Sequence, residues 1–155
     1  MIDLGRQFKQ RIRAWQEELD RQLFSPAAEI SFEGFTTLAA LTPLRAEECA
    51  FSVFPTGTHW GKCWEYGWFR ADLELDGRCE GHRVVFFSGL GGEQLVYVNG
   101  KAAGAIDREH PYITLTRNGK EGDRFHLLIE SYAGHGPRLE STRSEERRVG
   151  KECRS

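Results

Sequence analysis

The sequence predicts a mainly β protein, an antiparallel sandwich or barrel preceded by one amphipathic helix. Three observations carry this. Short apolar segments, several with a two-residue period, recur at roughly 8–15-residue spacing with no helical stretch between them. Ten Phe, four Trp and four Tyr together with 17 Gly give an aromatic, turn-rich composition that suits strands. A single stripe of helical period occupies the first 25 residues.

That stripe is Leu4, Phe8, Ile12, Trp15, Leu19 and Leu23, with Arg, Gln, Glu and Asp on the other face. Asp3 is a plausible N-cap, and Ser25-Pro26 ends the helix. Residues 1–25 are therefore expected to form a helix packing on the domain that follows. Weaker strands fall around Ile30–Phe32 and Ala50–Phe54. Phe69, Ala71, Leu73 and Leu75 alternate with Trp68, Arg70, Asp72 and Glu74, the pattern of a half-buried strand. Val84-Val85-Phe86-Phe87 suits a strand covered on both faces. Leu95 to Val98 runs into Asn99-Gly100, a strong hairpin signal because both residues tolerate positive φ. Ile113 and Leu115, then Phe125, Leu127 and Ile129, alternate in the same way, separated by turns at Asn118-Gly119 and Gly122-Asp123. Residues 26–142 make up the sandwich domain.

The last thirteen residues, 143–155, read differently. They resemble an in-frame translation of a common sequencing-library adapter, so they are expected to be a non-native, disordered tail, with the natural frame continuing elsewhere after about Thr142. The tail takes five of the 21 Lys and Arg and three of the 23 Asp and Glu, so residues 1–142 carry 16 basic and 20 acidic side chains, net −4.

A chain of 155 residues holds one ordinary domain, and 39% hydrophobic with 28% charged residues is a globular balance. The net charge of −2 supplies no general attraction to nucleic acid or to an anionic membrane. No apolar run approaches the roughly 20 residues of a membrane helix. The N-terminus enters charged sequence directly, without an apolar signal core. The tail also takes Cys153, and the three cysteines left, Cys49, Cys63 and Cys79, an odd number with irregular spacing, favour reduced thiols and a cytoplasmic protein.

Chemistry-bearing motifs are sparse. His59-x-x-x-Cys63 and Cys79-x-x-His82 offer a zinc-like donor set, but the segment after Cys63 reads as a strand leading away. Scattered thiols are the better reading. No nucleophile elbow, zinc-protease motif or phosphate loop is present, and Gly89-Leu90-Gly91-Gly92 leads into a strand rather than a helix. No catalytic set and no metal site emerges. His59 to Phe69 is the most unusual stretch; Trp64 and Trp68 are candidate sugar platforms, weighed against filling the core. Asp107-Arg108-Glu109-His110 follows the hairpin, and its Asp107 and His110 are candidates for sugar or interdomain contact, weighed against ordinary turn chemistry.

Tyr66-Gly67-Trp68-Phe69-Arg70, Gly92 to Gly100, Gly104 to His110 and Leu127-Leu128-Ile129-Glu130 together form a recognisable series. With the leading helix, it resembles the N-terminal β-sandwich of glycoside hydrolase family 38 α-mannosidases of the cytosolic and bacterial type, over roughly residues 1–140. The Gly-x-x-Asp-x-x-His segment at 104–110 is its most specific part. The resemblance implies a jelly-roll-type, galactose-binding-like sandwich. It also implies a non-catalytic fragment, inactive alone, whose partners are the catalytic domain of the same polypeptide and mannose-containing carbohydrate. Zinc and the Asp nucleophile of the family belong to that downstream domain, so no cofactor or catalytic residue is carried over. Two other readings stand beside it: a free-standing carbohydrate-binding module, and the sugar-binding-like domain of a β-galactosidase-type glycosidase.

Overall fold

The computed structural model describes the backbone of residues 4–134 and 148–152. Helix α1 (Leu4–Leu23) leads directly into β1 (Phe24–Glu29), followed by β2 (Phe32–Thr37), the short helix α2 (Pro43–Glu47) and β3 (Ser52–Phe54). Then come β4 (Tyr66–Glu74), a 3-10 turn at Gly77–Cys79, β5 (Val84–Phe87), β6 (Glu93–Val98) and β7 (Lys101–Ile106). Strands β8 (Ile113–Thr116), β9 (Arg124–Tyr132) and β10 (Arg148–Glu152) complete the described chain. A six-stranded sheet runs β3-β2-β4-β9-β6-β7, and a four-stranded sheet runs β1-β10-β5-β8. Every strand pairing in both sheets is antiparallel. The expected mainly β, antiparallel architecture with a leading helix is what the chain adopts.

The alternation in β4 points as expected. Phe69, Ala71, Leu73 and Leu75 are buried and meet Phe32, Val84, Phe86, Val96, Leu127 and Ile129 in the core between the sheets. Phe69 pairs with Ile129 and Ala71 with Leu127 across β4 and β9, so the two longest strands bring their apolar faces into register. The β6–β7 hairpin turns at Asn99-Gly100, where φ is 50° and 77°, the positive values that a tight two-residue connection requires.

The outer face of the large sheet is also covered. Thr42 caps α2 by accepting from the Arg45 N–H at 3.4 Å, and Pro43 opens the helix, where its missing N–H costs nothing. Ala46 of α2 packs with Trp68 and Leu128, flanked by Phe35, Leu41 and Phe51, to form a second apolar layer. His126 pins α2 to that face. Its Nε2 lies 2.9 Å from Glu47 Oε1, and its Nδ1 lies 2.8 Å from Asp72 Oδ1.

An imidazole held at both nitrogens by carboxylates donates twice only when protonated. Burial lowers the His126 pKa, but the hydrogen bonds to Glu47 and Asp72 outweigh it and raise the value above the ordinary 6.5. The stabilisation is therefore complete below 6.5 and is lost as pH rises through the higher folded value. With the His126 side chain 38% exposed, each pair is worth less than about 1 kcal/mol. We expect His126→Gln to flatten this alkaline decline in a series of urea melts. A decline of unchanged slope would assign it to another group.

Two expectations are corrected. The helix does not pack its apolar stripe on the sandwich: Phe8, Ile12, Trp15, Leu19 and Leu23 are 45–72% exposed. Phe24, by contrast, joins β1 and packs edge-on against Phe87 and Tyr112. Asp3, the expected cap, lies outside the described residues. The stripe marks one face as apolar without specifying what covers it, and this sheet is covered by α2 instead. The disordered tail is corrected over Arg148–Glu152, which forms β10 between β1 and β5. A ladder is made by backbone groups, so two strand edges can accept a segment that has little apolar content. Residues 143–147 and 153–155 lie outside the described residues.

Candidate functional site

The Asp107 loop is built by its own carboxylate. Asp107 Oδ1 accepts from the Glu109 N–H at 2.8 Å and the His110 N–H at 2.7 Å, and the Asp107 N–H donates to the His110 carbonyl at 3.0 Å. His110 Nδ1 lies 3.1 Å from the same Oδ1, so the structure brings the two candidates together. The His110 N–H is the main cause holding the Asp107 carboxyl below the ordinary 3.8, with the Glu109 N–H and the His110 ring adding to it against partial burial. This is turn chemistry of the Asx type, and it fixes the 107–110 loop as a rigid rim.

Behind that rim lies an open hollow of about 530 Å³, walled by Asp107, Arg108, Glu109, Gly92, Tyr132 and Gly134. Gly92 has a φ of 78°, and a Cβ there would stand 2.7 Å from the Tyr132 carbonyl oxygen, so only glycine lets the two walls approach. The glycine-rich loop is therefore structural. Leu90 is fully buried, its carbonyl accepts from Trp60 Nε1 at 2.8 Å, and the Gly91 carbonyl accepts from Ser131 Oγ at 2.8 Å.

The aromatic cluster divides. Trp60 and Phe69 enter the core, and Trp68 is 0% exposed beneath α2. Trp68 is corrected as a sugar platform, because the outer layer that encloses it depends on α2, a five-residue helix too short to show a period. The signal that finds α2 is the Thr42-Pro43 cap. Trp64 is 60% exposed and sits at φ 66°, a strained conformation for a bulky side chain. Its N–H donates to the Gly134 carbonyl at 2.8 Å, and the Ala133 N–H donates to the Glu65 carbonyl at 2.9 Å. The Trp64 backbone is thus tied to the wall of the Asp107 hollow. On the other side of the 59–65 loop, His59, Trp60, Lys62 and Glu65 border a second hollow of about 520 Å³ with Phe35 and Phe54. Sequence reasoning missed that hollow because Phe35, on β2, is brought beside the 59–65 loop only by the fold.

The candidate zinc donors do not assemble. Cys79 is buried in the core while Cys63 is exposed, and among the described residues no three His, Cys, Asp or Glu side chains cluster to hold a metal. The described residues do not fit a zinc ion. No helix among them is long and apolar enough to cross a membrane.

The sequence profile described as "Alpha-mannosidase, jelly roll domain" matches residues 9–140. No curated protein matches the sequence significantly. Among solved structures, a β-glucuronidase of an uncultured Clostridium species is similar with a TM-score of 0.53 and 12% identity, covering 86% of this chain and 30% of that one. The Ruminococcus gnavus β-glucuronidase in complex with uronic isofagomine gives 0.54 and 8%, covering 84% of this chain and 28% of the other. At these identities the likeness shows the fold alone. The chain spans less than a third of the length of these structures.

Proposed function

The chain belongs to the α-mannosidase jelly roll domain family, and on that membership we propose that it is the non-catalytic N-terminal domain of a glycoside hydrolase family 38 α-mannosidase. In this reading it packs on a downstream catalytic domain of the same cytoplasmic polypeptide, which holds zinc and removes terminal α-mannose from glycans. The match over residues 9–140 carries the reading. The Asp107 geometry supports a scaffold role, since its Oδ1 accepts two backbone N–H groups that shape the rim. A retaining glycosidase needs two carboxyl groups about 5 Å apart across one sugar ring, one of them free to attack.

Purified chain is expected to leave an aryl α-mannoside intact, with or without added zinc. The gene is expected to continue in frame after Thr142 into a catalytic domain that does hydrolyse it. Turnover that scales with the purified chain and is lost on changing its own carboxylates would overturn the assignment.

A second reading, a carbohydrate-binding module, is favoured by one observation: the exposed, strained Trp64 beside the Asp107 hollow. It expects saturable binding of mannose oligosaccharides by calorimetry, abolished by Trp64→Ala. Heat signals that match buffer dilution would remove it.

A further inference from the structure

The hollow between the 59–65 loop and β2 shares no wall with the one behind the Asp107 rim. It lies at a step in the large sheet, where β3 pairs with β2 over Phe32–Gly34 while β4 pairs with it as far as Thr37. Phe35, Phe54 and Trp60 give it apolar walls, and Thr36, Lys62 and Glu65 give it polar groups. Its volume of about 520 Å³ falls within the roughly 300–1,000 Å³ of small-molecule sites.

The walls are set by the fold. Glu65 Oε2 accepts from the Gly61 N–H at 3.0 Å and from the Lys62 N–H at 2.9 Å, and the Glu65 N–H donates to the Lys62 carbonyl at 3.1 Å. Gly61 sits at φ 91°, a conformation glycine adopts without strain. This turn aims the carboxylate, and among the described residues its other oxygen, Oε1, makes no hydrogen bond. Trp60 is held through Nε1 to the Leu90 carbonyl at 2.8 Å. Gly67 gives its ring room, since a Cβ there would fall 2.8 Å from Trp60 Cζ3. Phe54 rests on the same Phe69 ring that Trp60 meets.

The polar groups select the class of ligand. Lys62 brings a positive donor and Glu65 a negative acceptor, three residues apart in one turn. An anion is drawn to the first and repelled by the second, and a cation meets the reverse, so neither gains net attraction. A neutral molecule whose groups both donate and accept is served by both side chains and by the Thr36 hydroxyl. The aromatic walls require apolar area on that same molecule. A sugar ring combines the two, with a C–H face for the rings and hydroxyls for the polar groups.

We propose that the hollow between the 59–65 loop and β2 binds a neutral sugar ring, with Glu65 accepting from and Lys62 donating to its hydroxyls against Phe35, Phe54 and Trp60. The inference stands on this hollow and not on the mannosidase assignment. Heteronuclear NMR of the whole chain, titrated with mannobiose and separately with inorganic phosphate, tests it. Mannobiose is expected to shift the Gly61 and Lys62 amides and the Trp60 indole N–H saturably in the millimolar range, and phosphate to leave them in place. Lys62→Ala removes an exposed side chain and keeps the backbone N–H that Glu65 needs. It is expected to weaken mannobiose about tenfold, the loss of one charge-assisted hydrogen bond, with the remaining spectrum unchanged. Thr36→Val, which keeps the strand shape and removes the hydroxyl, is expected to weaken it about threefold. Absence of saturable shifts, equal affinity in both variants, or a response to phosphate matching that to mannobiose would overturn the proposal. Shifts confined to Gly92, Asp107 and Gly134 would overturn it as well and move sugar binding to the first hollow.

Discussion

Phe69→Ala is expected to cost about 3–5 kcal/mol, the range for a large aromatic ring removed from a packed core. Phe69 is fully buried in β4, and its ring meets Phe54 at 4.8 Å, Trp60 at 5.3 Å and Phe32 at 6.4 Å, all in edge or tilted geometry. Two glycines make room for it. A Cβ on Gly34 would fall 2.5 Å from Phe69 Cδ1, and one on Gly67 would fall 2.6 Å from Cε2. Backbone from β2 and from β4 itself therefore seats the ring, and backbone relaxes into a vacated site less readily than side chains do. The cavity left by alanine stays open, which places the loss at the upper part of the range. Urea melts would read it as a lower midpoint at unchanged slope. A loss below about 1 kcal/mol would show that the three aromatic partners collapse into the gap.

The same strand shows where sequence reading reaches and where it stops. Phe69, Ala71 and Leu73 were legible as inward because alternation is a local property of a pleated strand. Trp68 was not, because its burial depends on α2, which lies well upstream in sequence and is laid on the face the alternation marks as outer. The α1 stripe was legible as apolar, but periodicity states that a face needs cover without naming the cover. At the candidate site, Asp107 and His110 were found by their loop and proved to share a hydrogen bond. The walls contributed by Gly92, Tyr132 and Gly134 come from segments joined only by the fold. Composition misjudged residues 148–152 for a different reason. It weighs side chains, and a ladder is made of backbone.

Removing residues 143–155 is therefore expected to act locally and strongly on β1. In the four-stranded sheet, β10 lies between β1 and β5, with Glu29 opposite Arg148 and Phe24 opposite Glu152 on one side, and Phe87 opposite Arg148 on the other. Each ladder bond adds about 0.5–1.5 kcal/mol net, while ordering each residue's backbone costs about 1–2 kcal/mol. Those terms nearly cancel over five residues, so global stability should fall by only about 1–2 kcal/mol. The distribution is another matter. Within its sheet β1 pairs with β10 alone, whereas β5 keeps β8 and the core strands β4 and β9 pair with each other in the large sheet. Amide exchange in β1 should accelerate by about a hundredfold or more after truncation, with β4 and β9 changed only by the small global loss. Val149→Pro should reproduce much of the effect without shortening the chain, because proline in a central strand removes a ladder donor. Identical β1 exchange in the truncated and complete chains would show that β1 holds to the sandwich through Ala27 and Ile30, both buried in the core, and not through the strand beside it.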